Sequence, residues 1–555
     1  MTAAQGDADL ILHGGTVYPV AGFSTGTPNG APPSAVAVKG GRIVAVGTDE
    51  EVRAWAGPRT QTVNLAGRML LPGFQDAHVH PVEGGMQLLR CDLTNVDSAP
   101  EYLDAIGRYA ASHPAADWIL GGGWSMPAFP RGVPRREPLD DVVSDRPVYL
   151  PNRDGHSAWV NTRALELAGV TRHTPDPPDG RIERDEDGTP TGALHEGAMD
   201  LVARLLPAAT PESALAGLLA AQQYLHSLGI TGWQDAIVDG PIGGATTDTY
   251  LTAASAGQLT ARVIGALWWE RDQGEEQVEG LIERRARAGD GRFRATSVKI
   301  MQDGVCETFT AAMLQPYLDG DGHPTGGHGI SFFEAEALRR YVARLDREGF
   351  QVHFHALGDR AVRDSLDAIA AARAANGPTD HRHHLAHLQV VNPDDVPRFA
   401  ELGAVANCQP LWARNEPQMT ELTIPFLGPD RARQQYPFAS LERSGATLAF
   451  GSDWPVSTPD PLEELHVAVN RLPAPDGDVP VFLPEQRLSL ASALRAFTMG
   501  SAYVNHQEET TGSIDVGKYA DLTVLDRDLF AVPREEIYAA KVTMTLVEGE
   551  PVFAA

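Results

Sequence analysis

Pro72-Gly73-Phe74-Gln75-Asp76-Ala77-His78-Val79-His80 is the stretch that decides the fold of this chain. An apolar run beginning at Leu70 leads into it, and it ends in His-x-His. In an extended strand, residues i and i+2 point to the same face. His78 and His80 therefore present two imidazoles side by side at the C-terminal end of a strand. Imidazole is a good ligand for zinc and its neighbours. A lone His-x-His also has an ordinary reading, two hydrogen-bonded histidines, so its meaning depends on the rest of the chain.

Four more apolar runs end or pass through the same residue types. Phe350-Gln351-Val352-His353-Phe354-His355 ends in histidine, as does His383-His384-Leu385-Ala386-His387. Thr447 to Phe450 leads through Gly451-Ser452 to Asp453, and Thr296-Ser297-Val298-Lys299-Ile300 carries a lysine among apolar neighbours. A buried lysine is costly unless it is neutralised, paired or modified. Singly, each has an ordinary reading: a satisfied histidine, a capping aspartate, a snorkelling lysine. Together they are a divalent-metal ligand set.

Working outward, eight runs read as strands: Leu70–Asp76, Ile230–Asp235, Ala261–Trp268, Thr296–Met301, Phe350–His355, His383–His387, Ala404–Cys408 and Thr447–Phe450. Between several of them, Glu212–Leu228, Phe333–Glu348, Ala361–Ala375 and Pro393–Leu402 show the i, i+3, i+4 apolar spacing of amphipathic helices. Ser331 with Glu334 has capping-box spacing. Eight strand–helix units predict an α/β fold, a (β/α)8 TIM-type barrel, whose catalytic groups gather at the C-terminal ends of the strands. The ends of the chain differ. Leu10–Val20, Ala35–Val46 and Thr60–Leu71, punctuated by Gly14-Gly15 and Gly40-Gly41 as hairpin turns, read as short strands. So do Ala520–Leu525 and Lys541–Phe553, with a Glu548-Gly549-Glu550 turn. Residues 1–70 and 508–555 are predicted to build one small composite β-sandwich, and 71–507 the barrel. About 150 residues separate the first two barrel strands. They predict an insertion at about 90–205, with Gly121-Gly122-Gly123-Trp124, an Arg/Pro-rich loop and an acidic Pro/Gly segment, that forms a lid or pocket wall.

Composition narrows the function classes. Of 555 residues, 43% are apolar, enough for a large core, and the net charge is −28, which repels phosphate backbones and anionic lipid. Neither nucleic acid nor a membrane is an expected partner. The three cysteines, Cys91, Cys306 and Cys408, form no CxxC, which argues against disulfides and thiolate zinc sites. The opening MTAAQGDADL has neither the basic nor the apolar region of a signal peptide, so the cytoplasm is the expected location.

The stretches PGFQDAHVHP, LGGGWS, DGHSAWVNT, PTGALHEGA, VKIMQDGVCETFTA, VHFHALGDRAV, HHLAHLQ and FGSDWPV resemble the amidohydrolase superfamily. In finer detail they resemble its YtcJ-like branch, which includes N-substituted formamide deformylase. The resemblance spans nearly the whole chain. It implies a metal-dependent amidohydrolase that cleaves a linear C–N amide bond, an N-substituted formamide or similar amide. A deaminase or a cyclic-amide, carbamate or ester hydrolase is the alternative; the absence of His-x-x-Glu after His355 counts against the deaminase. It also implies His78, His80, Lys299, His355, His387 and Asp453 as ligands of one or two divalent ions, zinc first, with manganese, cobalt or iron as alternatives. His353 shares a face with His355 but should lie deeper. His381, His383 and His384 crowd the next strand, and His387 alone matches the motif there. Asp453 doubles as proton shuttle. An ammonium beside divalent cations is repelled, so Lys299 is expected as a carbamate bridging two metals. His78 and His80 would then lie on one metal and His355 and His387 on the other. His156 is the expected catalytic or substrate-binding histidine of the insertion, and Trp124, Asp303 and Trp454 line the substrate pocket, with Glu307 a weaker candidate. Tryptophans at strand ends (Trp233, Trp268, Trp269, Trp412, Trp454) favour a small substrate with an apolar or aromatic group. A homodimer is compatible with the sequence. A non-enzymatic scaffold would have lost ligands, and none is missing.

Overall fold

The computed structural model describes residues 7–20, 33–94, 96, 98–240, 244–289, 291–475 and 478–555. Residues 1–6, part of the opening that lacks signal-peptide features, lie outside them. The eight expected runs form one parallel sheet, in order Phe74–Val79 (β1), Ile230–Val238 (β2), Arg262–Trp268 (β3), Phe293–Met301 (β4), Gln351–Ala356 (β5), His384–His387 (β6), Val405–Cys408 (β7) and Leu448–Phe450 (β8). β1, β5, β6, β7 and β8 are buried along their whole length. That burial explains their near-continuous apolar runs, since a parallel sheet is covered on both faces.

The sheet closes where the chemistry-bearing residues lie. Asp453 N–H donates to the His78 carbonyl at 2.7 Å, and His80 N–H donates to the Trp454 carbonyl at 2.8 Å. The loop after β8 is thereby stitched to the end of β1, and the (β/α)8 barrel is complete. Outer helices include Pro211–Ser227, Ala335–Arg347, Asp359–Asn376 and Val396–Leu402, close to the predicted ones. Thr210 caps the first, accepting from Ser213 N–H. The Ser331–Glu334 capping box does not form. The helix begins at Ala335 with Glu334 as its N-cap, so Ser331 stands outside the first turn.

The two ends of the chain pack as a sandwich. One sheet orders Arg42–Gly47, Ala35–Lys39, Leu10–His13 and Gln61–Asn64. The other orders Thr16–Val17, Met69–Pro72, Leu522–Leu525, Val542–Val547 and Glu550–Ala554. Leu10, Leu12, Val36 and Val38 of one share a core with Leu70, Leu522, Val524 and Leu546 of the other. Gly40-Gly41 makes the expected hairpin, and Glu548-Gly549 turns the last one. Gly14-Gly15 does not make a hairpin: it carries the chain from one sheet to the other, close enough that a Cβ on Gly15 would stand 2.5 Å from the Arg68 carbonyl.

The stretch between β1 and β2 is a folded layer, not a loop. Six strands lie in the order Gly180–Arg184, Pro190–Glu196, Ser157–Val160, Val148–Pro151, Ile119–Gly122 and Cys91–Asp92. It has its own cores, one around Tyr102, Ile119, Trp124 and Trp159, another around Ala158, Val160, Ile182 and Leu194. Among the described residues, no helix is long and apolar enough to cross a membrane.

Candidate metal centre

The barrel strands deliver the ionisable residues in register. Lys299 on β4 pairs with His353 on β5, Met301 pairs with His355, and Ala356 pairs with His387 on β6. At the mouth, Asp453 Oδ1 lies 2.9 Å from His80 Nε2 and 3.1 Å from His78 Nε2, and its Oδ2 lies 3.9 Å from His387 Nδ1. Lys299 Nζ lies 3.4 Å from His78 Nε2. The rings of His355 and His387 are 4.5 Å apart, and those of His78 and His387 4.7 Å. His387 (φ 80°) and Asp453 (φ 57°) both hold left-handed backbone, a strain that clusters at functional sites.

This donor set fits a divalent metal. The ligand atoms of His78, His80 and Asp453 lie within 4.8 Å of one another. Neither ring nitrogen of His387 has a hydrogen-bond partner among the described residues, and a metal ion is a partner that would satisfy one of them. Protonation favours the same state at three of the four histidines; at His80 burial pulls down, but the hydrogen bond with Asp453 outweighs it and pushes the imidazole up. Burial, with Lys299 next, pulls His78 down to about 3, and burial holds His355 and His387 well below the usual histidine range. Metal ligation requires neutral imidazole. Burial pushes Asp453 up, but His78, His80 and His387 outweigh it and hold the carboxyl well below its usual range. Burial also pulls Lys299 down, to about 7.

The ambiguous histidines separate. His353 lies deeper, its Nε2 2.8 Å from His78 Nδ1 and its ring 4.0 Å from His384. His383 accepts from Val352 N–H and faces Asp346 at 3.1 Å, a structural pairing. The structure puts His156 beside the cluster, its ring 5.3 Å from that of His355.

Two expected pocket residues, Trp124 and Asp303, sit differently. Trp124 is fully buried in the insertion's core, its indole donating to the Leu150 carbonyl, and leaves no surface for a substrate. Asp303 is fully buried and accepts from the backbone N–H groups of Ala312, Leu357 and Gly358 at 2.9, 3.0 and 2.8 Å. It pins the loop that follows His355 rather than lining a pocket. Trp454 is buried, with its ring 5.5 Å from that of Tyr224. Glu307 accepts from the Thr423 hydroxyl at 2.8 Å. The aromatic at the cluster is Trp412, whose ring lies parallel to His387 (9°) at 5.3 Å.

Two further residues lie within the motif stretches PTGALHEGA and VKIMQDGVCETFTA, which by themselves assign them no role. Glu196 receives His156 Nδ1 at 3.0 Å on both carboxylate oxygens, and Thr310 Oγ1 donates to Glu196 Oε1 at 2.7 Å. A carboxylate closing the apolar run Gly192-Ala193-Leu194 is the available signal. Its pairing with His156 depends on a strand-to-strand register that sequence does not disclose.

Comparison with known proteins places this arrangement. The amidohydrolase family pattern matches residues 61–553. The chain belongs to the amidohydrolase family. This amidohydrolase is 30% identical to the putative amidohydrolase YtcJ of Bacillus subtilis, over 98% of the chain and 99% of that protein. It is 27% identical to the N-substituted formamide deformylase of Arthrobacter pascens, over 93% and 94%. An uncharacterized metal-dependent hydrolase from Pyrococcus horikoshii superposes with a TM-score of 0.71 at 25% identity, covering 95% of this chain and 99% of that one.

Proposed function

We propose that this amidohydrolase cleaves a linear C–N amide bond, of an N-substituted formamide or a similar amide, with the help of one or two divalent metals. The convergence of His78, His80 and Asp453 on one point, with His387, His355 and Lys299 around it, carries this reading. The similarity to a formamide deformylase supports the bond class. His78, His80, His355, His387 and Asp453 would hold the metal, zinc first; when bound, it makes water nucleophilic near neutral pH and polarises a carbonyl.

The chain's own residues do the rest. Asp453, ionised and within 3.1 Å of two imidazoles, takes the proton from the attacking water at Oδ and returns it to the leaving nitrogen. Lys299 Nζ, fully buried, contacts His78 and has no carboxylate within ion-pair distance among the described residues. Carbamylation answers this: the amine adds to CO2 and releases a proton, giving an anionic N-carboxylate suited to bridge two metals. His156, delivered by the insertion, hydrogen-bonds the substrate. Trp412 flanks the centre and offers a flat apolar wall, which suits an apolar or aromatic substituent.

The test is to strip metal with a chelator, add back Zn²⁺, Mn²⁺ or Co²⁺, and measure amine release from N-substituted formamides, acyl amides and carbamates. Activity should vanish on stripping and return with metal, formamides leading. Full activity in metal-free protein, or no amide turned over by metal-loaded protein, overturns the reading.

A further inference from the structure

Glu196 ends the insertion strand Pro190–Glu196, and its neighbour Ser157–Val160 runs antiparallel with Ser157 opposite His195. Glu196 N–H donates to the His156 carbonyl, so the two residues are tied through the backbone as well as the side chains. Glu196 is buried, and both its oxygens lie 3.0 Å from His156 Nδ1. A carboxylate only accepts, so this contact places a proton on Nδ1; burial pulls the ring down, but Glu196 outweighs it and pushes His156 up to about 9, so Nε2 carries a proton as well near neutral pH. Nε2 then has no hydrogen-bond partner among the described residues.

The carboxylate is held from the barrel side as well. Thr310, in the loop after β4, donates its hydroxyl to Glu196 Oε1 at 2.7 Å. Gly304, in the same loop, leaves room for this contact. A Cβ there would stand 2.1 Å from Thr310 Oγ1, 2.4 Å from Glu196 Oε1 and 2.7 Å from Thr310 Cβ. The Gly304 carbonyl in turn lies 3.5 Å from His355 Nε2. Barrel loop, insertion carboxylate and insertion histidine thus form one chain of contacts that ends beside the metal-facing histidines.

We propose that Glu196 and Thr310 are positioning residues: they clamp His156 across the insertion–barrel boundary so that its Nε2 serves the bound amide. The kinetic side of this rests on the amide-hydrolase reading above; the clamp itself does not. It gives the insertion a defined task, to deliver one oriented imidazole. Orientation matters because a hydrogen-bonding group displaced by about 1 Å loses on the order of 100-fold in rate.

The experiment has two arms on zinc-loaded, full-length protein. In the first, [15N]histidine labelling should show a downfield Nδ1–H resonance that is absent from His156→Ala and lost in Glu196→Leu, which removes the acceptor. Its absence from the parent, or its survival in Glu196→Leu, overturns the clamp whatever the substrate is. In the second, kinetics on the best amide are read with bound metal. Glu196→Gln should lower kcat/KM at least tenfold at parental metal content. In a His156→Ala background the same change should cost less than twofold, because Glu196 acts through His156. Thr310→Val and Gly304→Ala should lower kcat/KM several-fold, and Thr310→Ser should restore it; these stand in if Glu196→Gln does not fold. A full Glu196→Gln effect without His156, or loss of metal from Glu196→Gln, shows a different role and overturns the proposal. If no amide is turned over by the parent, the amide reading fails and the resonance still decides the clamp.

Discussion

Asp303→Asn isolates the residue that holds the loop behind His355. Oδ2 of Asp303 accepts from Ala312 and Gly358, and Oδ1 accepts from Leu357. Asparagine has the same volume, so no cavity confounds the comparison. Its amide offers one acceptor and one donor group. The better orientation keeps the carbonyl on Ala312 and Gly358 and turns NH2 toward the Leu357 N–H at 3.0 Å. Burial pushes Asp303 up to about 8, so the comparison carries no charge-assistance term, and one buried N–H loses its acceptor, at about 1–3 kcal/mol. That loss is a sizeable share of a protein's typical 5–15 kcal/mol. Leu357 and Gly358 lie two and three residues after His355, so the loosened loop reaches the centre. The assay is a guanidinium titration followed by tryptophan fluorescence, with bound metal measured on the same sample. The midpoint should fall and metal occupancy with it. An unmoved midpoint with full metal would refute the view that Asp303 pins this loop.

Lys299→Ala should lose at least half the bound metal and nearly all activity, with partial rescue by a short-chain carboxylic acid supplied as a substitute bridge. A structure of metal-loaded protein prepared with CO2 that shows an unmodified lysine and one metal would refute the bridging carbamate. Trp412→Leu should raise KM for formamides bearing aromatic groups several-fold more than for small alkyl ones; equal shifts would remove Trp412 from substrate selection. Burial pushes Asp346 up, but hydrogen bonds with His383, Asn376 and Thr379 outweigh it and hold the carboxyl at about 2. A depressed folded pKa gives stability that is present above the ordinary value, near 4, and lost as pH falls toward 2. The parent should therefore lose its thermal advantage over Asp346→Asn across that window, and a gap constant from pH 6 to pH 2.5 would contradict it.

The eight barrel strands were legible in sequence because each is buried on both faces, so it must be an apolar run and its polar exceptions stand out. His78, Lys299, His355 and His387 are among those exceptions, His80 and Asp453 follow the ends of β1 and β8, and the structure brings the six together. The strand-rich ends were legible for a similar reason, through glycine turns such as Gly40-Gly41. Tertiary structure alone decided the rest. Trp124 and Asp303 look like pocket residues in their motifs, yet a fully buried indole and three backbone donors assign them to packing and to loop support. Glu196 is more than a hundred residues from Thr310 and forty from His156, and no local pattern couples them. Residue type and periodicity are local properties that a sequence carries in the open. Cross-strand register, and which neighbour satisfies a buried polar atom, depend on how separate layers dock, and these exist only once the chain has folded.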